Sequence, residues 1–227
     1  MTLMQHFREL KSRIVWSLLF FSAAFLAGLY IAPMSQKILT APLLDIWGKG
    51  TLIYTGIADS LTIQFSLAGL FAMMVSTPFF LYQLWAYVSP ALKKTERRVA
   101  VPLLIISPAL FLAGAAFAYF VLLPIMFEFF IEIGDGSITL LPNVKNYLSF
   151  SIDILKAFGF AFQFPLALVL LNRAGVISKK AIFSKSRYII VAVFILAAVL
   201  TPPDVVSQVA LALPLLALFG LSFLFMV

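Results

Sequence analysis

Six stretches without a charged side chain constrain this chain more than any other feature: Ile14–Gln36, Ser60–Leu92, Val99–Phe127, Ala157–Asn172, Tyr188–Pro203 and Val205–Val227. A helix that crosses a bilayer needs roughly 20 mainly apolar residues. Hydrophobic residues make up 63% of the 227 positions, charged ones 11%, and the mean hydropathy is +1.09. A soluble domain of that size cannot hide so much apolar surface. A membrane barrel is excluded, because its strands would alternate apolar and polar positions. The expected fold is an all-α membrane protein, one polytopic domain over residues 1–227. Its six transmembrane helices fall near 14–34, 62–84, 99–123, 147–172, 187–201 and 205–227. The first run exceeds the roughly 7–15 residues of a signal-peptide core, so an uncleaved first helix is expected.

The cations predict an orientation. Arg8, Lys11 and Arg13 precede the first run, Lys93, Lys94, Arg97 and Arg98 lie between the second and third, and Arg173, Lys179, Lys180, Lys185 and Arg187 lie between the fourth and fifth. Of the 16 Lys and Arg, only Lys37, Lys49, Lys145 and Lys156 fall elsewhere. The positive-inside rule then puts both termini in the cytoplasm. Asp45, Asp59, Glu128, Glu132, Asp135 and Asp204 collect on the other side. The net charge of +7 therefore reports topology and not nucleic-acid binding. Two outer loops are expected, about 32–60 and 123–146, the second with a Gly134-Asp135-Gly136 turn.

Pro78, Pro108, Pro165 and Pro214 each interrupt an apolar run, remove a backbone hydrogen bond and favour a curved bundle with a concave face. The fifth helix is expected to be short. Tyr188–Thr201 reaches only about 21 Å, against a hydrocarbon core near 30 Å. Local bilayer thinning, or an earlier start near Ile182 with Lys185 and Arg187 snorkelling, would each accommodate it.

The fourth span carries a polar stripe. At 100° per residue Asn146, Ser149, Asp153, Lys156 and Gln163 fall on one arc, with Asp153 and Lys156 close enough to pair. The stripe is open to two interpretations, a functional polar groove or interhelical hydrogen bonding. Between the second and third spans, Tyr82, Trp85 and Tyr87 lead into Pro90 and then to Glu96 among four cations. The aromatics are equally belt anchors, and Glu96 equally a local partner of Arg97 or Lys93. One histidine and no cysteine give no metal site. No nucleophile–base pair, P-loop or dinucleotide fingerprint occurs, so neither an enzyme nor a bound cofactor is expected.

An ordered set of motifs carries a resemblance. It begins with His6-Phe7-Arg8-Glu9-Leu10-Lys11-Ser12-Arg13 and Ala41-Pro42-Leu43. It continues with Pro78, Leu81-Tyr82-Gln83, Trp85-Ala86-Tyr87, Pro90-Ala91-Leu92 and Glu96-Arg97-Arg98. Then come Gly114, Phe117-Ala118-Tyr119-Phe120, Pro124, Tyr147-Leu148-Ser149-Phe150 and Ala157-Phe158-Gly159-Phe160-Ala161-Phe162-Gln163 with Pro165. Thr201-Pro202-Pro203-Asp204 and Ser207-Gln208 close it. The chain resembles, along nearly its whole length, the large multispanning subunit of the twin-arginine protein translocase, the TatC family.

That resemblance implies a component that exports folded proteins across the cytoplasmic inner membrane using the proton-motive force. It implies that Glu96 is the principal acidic contact for the consecutive arginines of a cargo signal peptide, with Glu9 second. Lys11, Arg13 and Tyr87 would shape the same surface. It further implies an intramembrane groove with Gln163, Asp153 and Lys156. Single-span partners of the TatA and TatB type would contact Pro202, Asp204 and Gln208, and the subunit would self-associate in the lipid bilayer. Guanidinium binds carboxylate bidentately and ammonium does not, so a carboxylate site can prefer Arg-Arg over Lys-Lys. The sequence departs from the family pattern at Gln163, where many relatives carry Glu, at Lys11, where many carry Arg, and at Gly220, which replaces an acid. A Gln cannot titrate, so no proton relay is expected there. A small secondary transporter or channel lined by the fourth helix is the alternative, and a scaffold that only organises partners is another.

Overall fold

The structure, a computed structural model, describes residues 3–47, 52–88, 94–133, 143–173, 175, 177–200 and 205–226. Nine α-helices occur among them: α1 (Leu3–Trp47), α2 (Asp59–Val88), α3 (Lys94–Phe117), α4 (Leu123–Ile133), α5 (Val144–Ala161), α6 (Gln163–Arg173), α7 (Lys179–Ser184), α8 (Ser186–Leu200) and α9 (Val205–Phe225). A π-helical turn, Ala118–Leu122, joins α3 to α4. Four helical stretches are long and apolar enough to cross a membrane: Phe7–Asp45, Asp59–Leu84, Ile106–Glu132 and Val144–Val169. Ser186–Val199 and Gln208–Leu224 are shorter apolar helices.

Both expected outer loops are in good part helical. α1 runs 45 residues to Trp47, through Pro33 and Pro42. Pro42 cannot donate to the carbonyl of Ile38 four residues back. The Tyr119 hydroxyl donates to that oxygen instead at 2.7 Å. One residue on, the Tyr147 hydroxyl donates to Leu39 O, also at 2.7 Å. Leu39 and Leu43 are meanwhile buried in the core, so the proline costs the helix little and the chain stays coiled. The third run behaves alike. Pro124 cannot reach Phe120 O, and the turn before it widens so that Leu123 N–H bonds Ala118 O five residues back. The helix resumes as α4 to Ile133, while Gly134, Asp135 and Gly136 lie outside the described residues.

Prolines act unequally. Pro78 and Pro214 sit inside continuous α2 and α9. Pro165 coincides with a break: the expected fourth span is two helices, α5 and α6, parted at Phe162. Proline at 165 leaves Ala161 O without its helical donor, and the chain turns there. α8 is only 15 residues, about 22 Å long. It does not start earlier, because Lys185 caps α7 and interrupts the helix.

α1 lies along α2, α3 packs on α5 and α6, and α9 packs on both α6 and α8. As α1 rises from Phe20 to Phe25, α2 falls from Phe79 to Phe65 in stacked ring pairs 4.7 and 6.1 Å apart. The two are therefore antiparallel. The core of Ile63, Leu67, Leu122, Met126, Leu148 and Phe158 lies where α2, the π turn, α4 and α5 meet. At the end holding the start of α5, Asn143 caps that helix by accepting from Lys145 N–H at 2.7 Å and Asn146 N–H at 3.1 Å. Lys145 Nζ meets Asp59 Oδ1 at 2.9 Å, tying α5 to the first residue of α2.

Gly114 sets the closest approach of α3 to α5, since a Cβ there would stand 2.5 Å from Phe158 O. Gly114→Val is expected to destabilise the chain by about 1–3 kcal/mol. Denaturation in detergent, followed by circular dichroism against the unaltered chain, measures it. An unchanged midpoint would mean that the interface opens freely.

Candidate functional site

The start of α1 and the end of α2 meet, the helices being antiparallel, and of the expected recognition residues Glu9 and Arg13 are joined there. Glu9 and Arg13 are one helical turn apart. Arg13 Nη2 and Nε donate to Glu9 Oε1 at 2.6 and 3.1 Å, and Nη1 donates to Gln83 Oε1 of α2 at 2.9 Å. The Arg13 and Glu9 side chains are 24% and 26% exposed. In this clasp one hydrogen bond joins the two helices, and two more hold Arg13 to Glu9 within α1, both taken by Glu9 Oε1. Lys11 is exposed nearby on α1, and Tyr87 is half-buried one turn beyond Gln83.

Glu96 lies in the first turn of α3, and its side chain lies outside the described residues. From Val88 at the end of α2 to Lys94 at the start of α3 the chain spans at most about 22 Å. The first turn of α3 is therefore tethered to the end of the bundle that holds the clasp. The unsatisfied N–H groups of a helix start favour a carboxylate there.

The residues of the expected polar groove have separate hydrogen-bond partners. Lys156 Nζ and Asp153 Oδ1 pair at 3.1 Å along α5, with side-chain exposures of 33% and 71%. Gln163 begins α6, beyond the break, and is engaged by α3. The Ser107 hydroxyl donates to Gln163 Oε1 at 2.6 Å, and Gln163 Nε2 donates to Ser107 O at 2.8 Å. Ser107 is 1% exposed. This reciprocal pair has the geometry of interhelical bonding. A groove of about 760 Å³ between α5–α6 and α7–α8 is lined by none of the three.

Of the expected partner contacts, Pro202 and Asp204 lie outside the described residues. Gln208 Nε2 donates to Phe194 O at 3.1 Å and so joins α9 to α8. Among the described residues no three His, Cys, Asp or Glu cluster as metal ligands. Sequence reasoning missed Gln83 and Ser107 as partners. Gln83 was visible as the polar residue inside the aromatic ramp, and Ser107 as the small polar residue before Pro108. Their register against Arg13 and Gln163 was not.

Fold and site define a multi-pass α-helical membrane protein whose polar groups clasp helix ends and bridge helices. The sequence model of the Sec-independent protein translocase protein TatC matches residues 5–214. The Sec-independent protein translocase protein TatC of Haemophilus influenzae is 37% identical over 223 residues, covering 98% of this chain and 87% of the relative. The Escherichia coli K12 protein of the same name is 37% identical over 224 residues, with 98% and 87% coverage. A crystal structure of the twin-arginine translocase receptor TatC superposes with a TM-score of 0.89 at 34% identity, covering 98% of this chain and 99% of that one. The chain belongs to the TatC family of protein translocase components. It is a transport protein and not an enzyme.

Proposed function

We propose that this chain is the signal-peptide receptor of a twin-arginine translocase in the cytoplasmic inner membrane. It spans the bilayer six times with both termini cytoplasmic, α8 and α9 serving as the fifth and sixth spans. Consecutive arginines of a folded cargo's signal peptide dock at Glu96, with Glu9 as second contact and Lys11, Arg13 and Tyr87 around them. Single-span subunits of the TatA and TatB type join it near Pro202, Asp204 and Gln208, and copies of the chain associate. The proton-motive force drives the passage.

One observation carries this proposal: the Glu9–Arg13–Gln83 clasp fixes a carboxylate at the end of the bundle to which Glu96 is tethered. Arg13 already shows that Glu9 accepts a guanidinium. Its Oε2 takes neither of the bonds from Arg13 and can face a second one. Lys93, Lys94, Arg97 and Arg98 repel an ordinary basic peptide, so selectivity requires bidentate geometry at a carboxylate.

Inverted membrane vesicles whose only large subunit is this chain, supplied with the single-span subunits, test it. A folded reporter with Arg-Arg should enter, the same reporter with Lys-Lys should not, and a protonophore should stop entry. Equal entry of both reporters would overturn the receptor role.

A further inference from the structure

A second site lies away from the clasp. The groove of about 760 Å³ runs between α5–α6 and α8, with Phe160, Phe164 and Leu168 on one wall and Tyr188, Ala192 and Leu196 on the other. Its volume falls within the roughly 300–1,000 Å³ of small-molecule clefts. Lys185 is also part of its lining. We infer that this groove is a binding site for an anionic glycerophospholipid, its acyl chain along α8 and its phosphate at Lys185 and Arg187.

Depth argues for a lipid. From Lys185 to Leu196 the groove follows α8 for about 16 Å, close to half of a hydrocarbon core near 30 Å. A lipid occupies one leaflet, with its charge at the interface.

Charge argues for an anionic one. Gly175, held at φ 71°, turns the chain after α6, and Ser178 caps α7 by accepting from Ala181 N–H at 3.2 Å. The short α7 then ends at Lys185, whose exposed side chain stands at the groove mouth. The Arg187 guanidinium lies 4.9 Å from the Tyr188 ring centre and donates to the Tyr188 hydroxyl at 3.3 Å. That ring lines the groove, so a second cation is held against one of its walls. Lys179, by contrast, donates to Met226 O and braces α7 on the end of α9. Two cations beside a one-leaflet apolar groove match a phosphodiester headgroup above an acyl chain.

Native mass spectrometry tests the site on the full chain, released from nanodiscs of equal parts phosphatidylglycerol and phosphatidylcholine. The unaltered chain should retain phosphatidylglycerol preferentially. Lys185→Gln with Arg187→Gln should lower that preference roughly fivefold for each cation removed. Ala192→Trp, at an exposed groove position, should lower retention of both lipids while the helical circular dichroism stays unchanged. Equal retention of the two lipids by the unaltered chain, or retention indifferent to all three substitutions, overturns the site. A photoreactive residue at position 196 in native membranes gives a second readout. An adduct of phospholipid mass supports the inference, and an adduct with a second copy or another membrane protein in its place overturns it.

Discussion

Glu96→Gln is expected to weaken binding of an Arg-Arg signal peptide by about 10- to 100-fold while leaving the chain folded. Glutamine keeps the size of the side chain and one acceptor but loses the charge. A charge-assisted hydrogen bond contributes about 1.5–3 kcal/mol, and each 1.4 kcal/mol is about tenfold in affinity. The loss is sharpened by the four cations around position 96. With the carboxylate gone, its sequence neighbours Lys93, Lys94, Arg97 and Arg98 add only repulsion, and Glu9 alone opposes it. Glu9→Gln should cost less in binding, because Glu9 already carries Arg13 on Oε1. Its effect should appear equally in a loosened α1–α2 contact. Equilibrium binding of a labelled peptide to the chain in nanodiscs, at two ionic strengths, checks both. Glu96→Gln binding as tightly as the unaltered chain would return Glu96 to a local ion-pair role.

Gln163→Leu is expected to destabilise the chain by about 1–2 kcal/mol, because it strips the buried Ser107 hydroxyl of its acceptor. Adding Ser107→Ala should recover much of that loss, giving a favourable coupling in a double-mutant cycle. Export should remain within about twofold, since the pair bridges α3 and α6 and lines no described groove. A conducting role predicts the opposite: export falls in Gln163→Leu although the unfolding midpoint does not. Asp153 and Lys156 give the same contrast. They satisfy each other at 3.1 Å on one helix, so removing both together should disturb stability less than removing either alone.

Much of the helical content was legible in the sequence because apolar runs report burial in lipid directly. Pro165 made a bend in the fourth run legible, but not its division into two helices. What was not legible turned on distant partners. The stretch from residue 32 read as an outer loop, yet α1 continues to Trp47, with Tyr119 and Tyr147 donating to its carbonyls at Ile38 and Leu39 across 81 and 108 residues. The polar stripe illustrates the same limit. Its 100° arc assumes one unbroken helix, and the chain breaks at Phe162 between Lys156 and Gln163. The site was half legible. Glu9, Arg13 and Glu96 stood out by charge and motif, whereas Gln83 became a partner only through the antiparallel register of α1 on α2, which periodicity does not encode.

Site-specific photocrosslinking from position 96 in native membranes bears most directly on the receptor role. The ligand is a radiolabelled precursor carrying either Arg-Arg or Lys-Lys in its signal peptide. The receptor role predicts a strong adduct with Arg-Arg that disappears with Lys-Lys. No adduct with either precursor, from a chain that is folded and inserted, would contradict it.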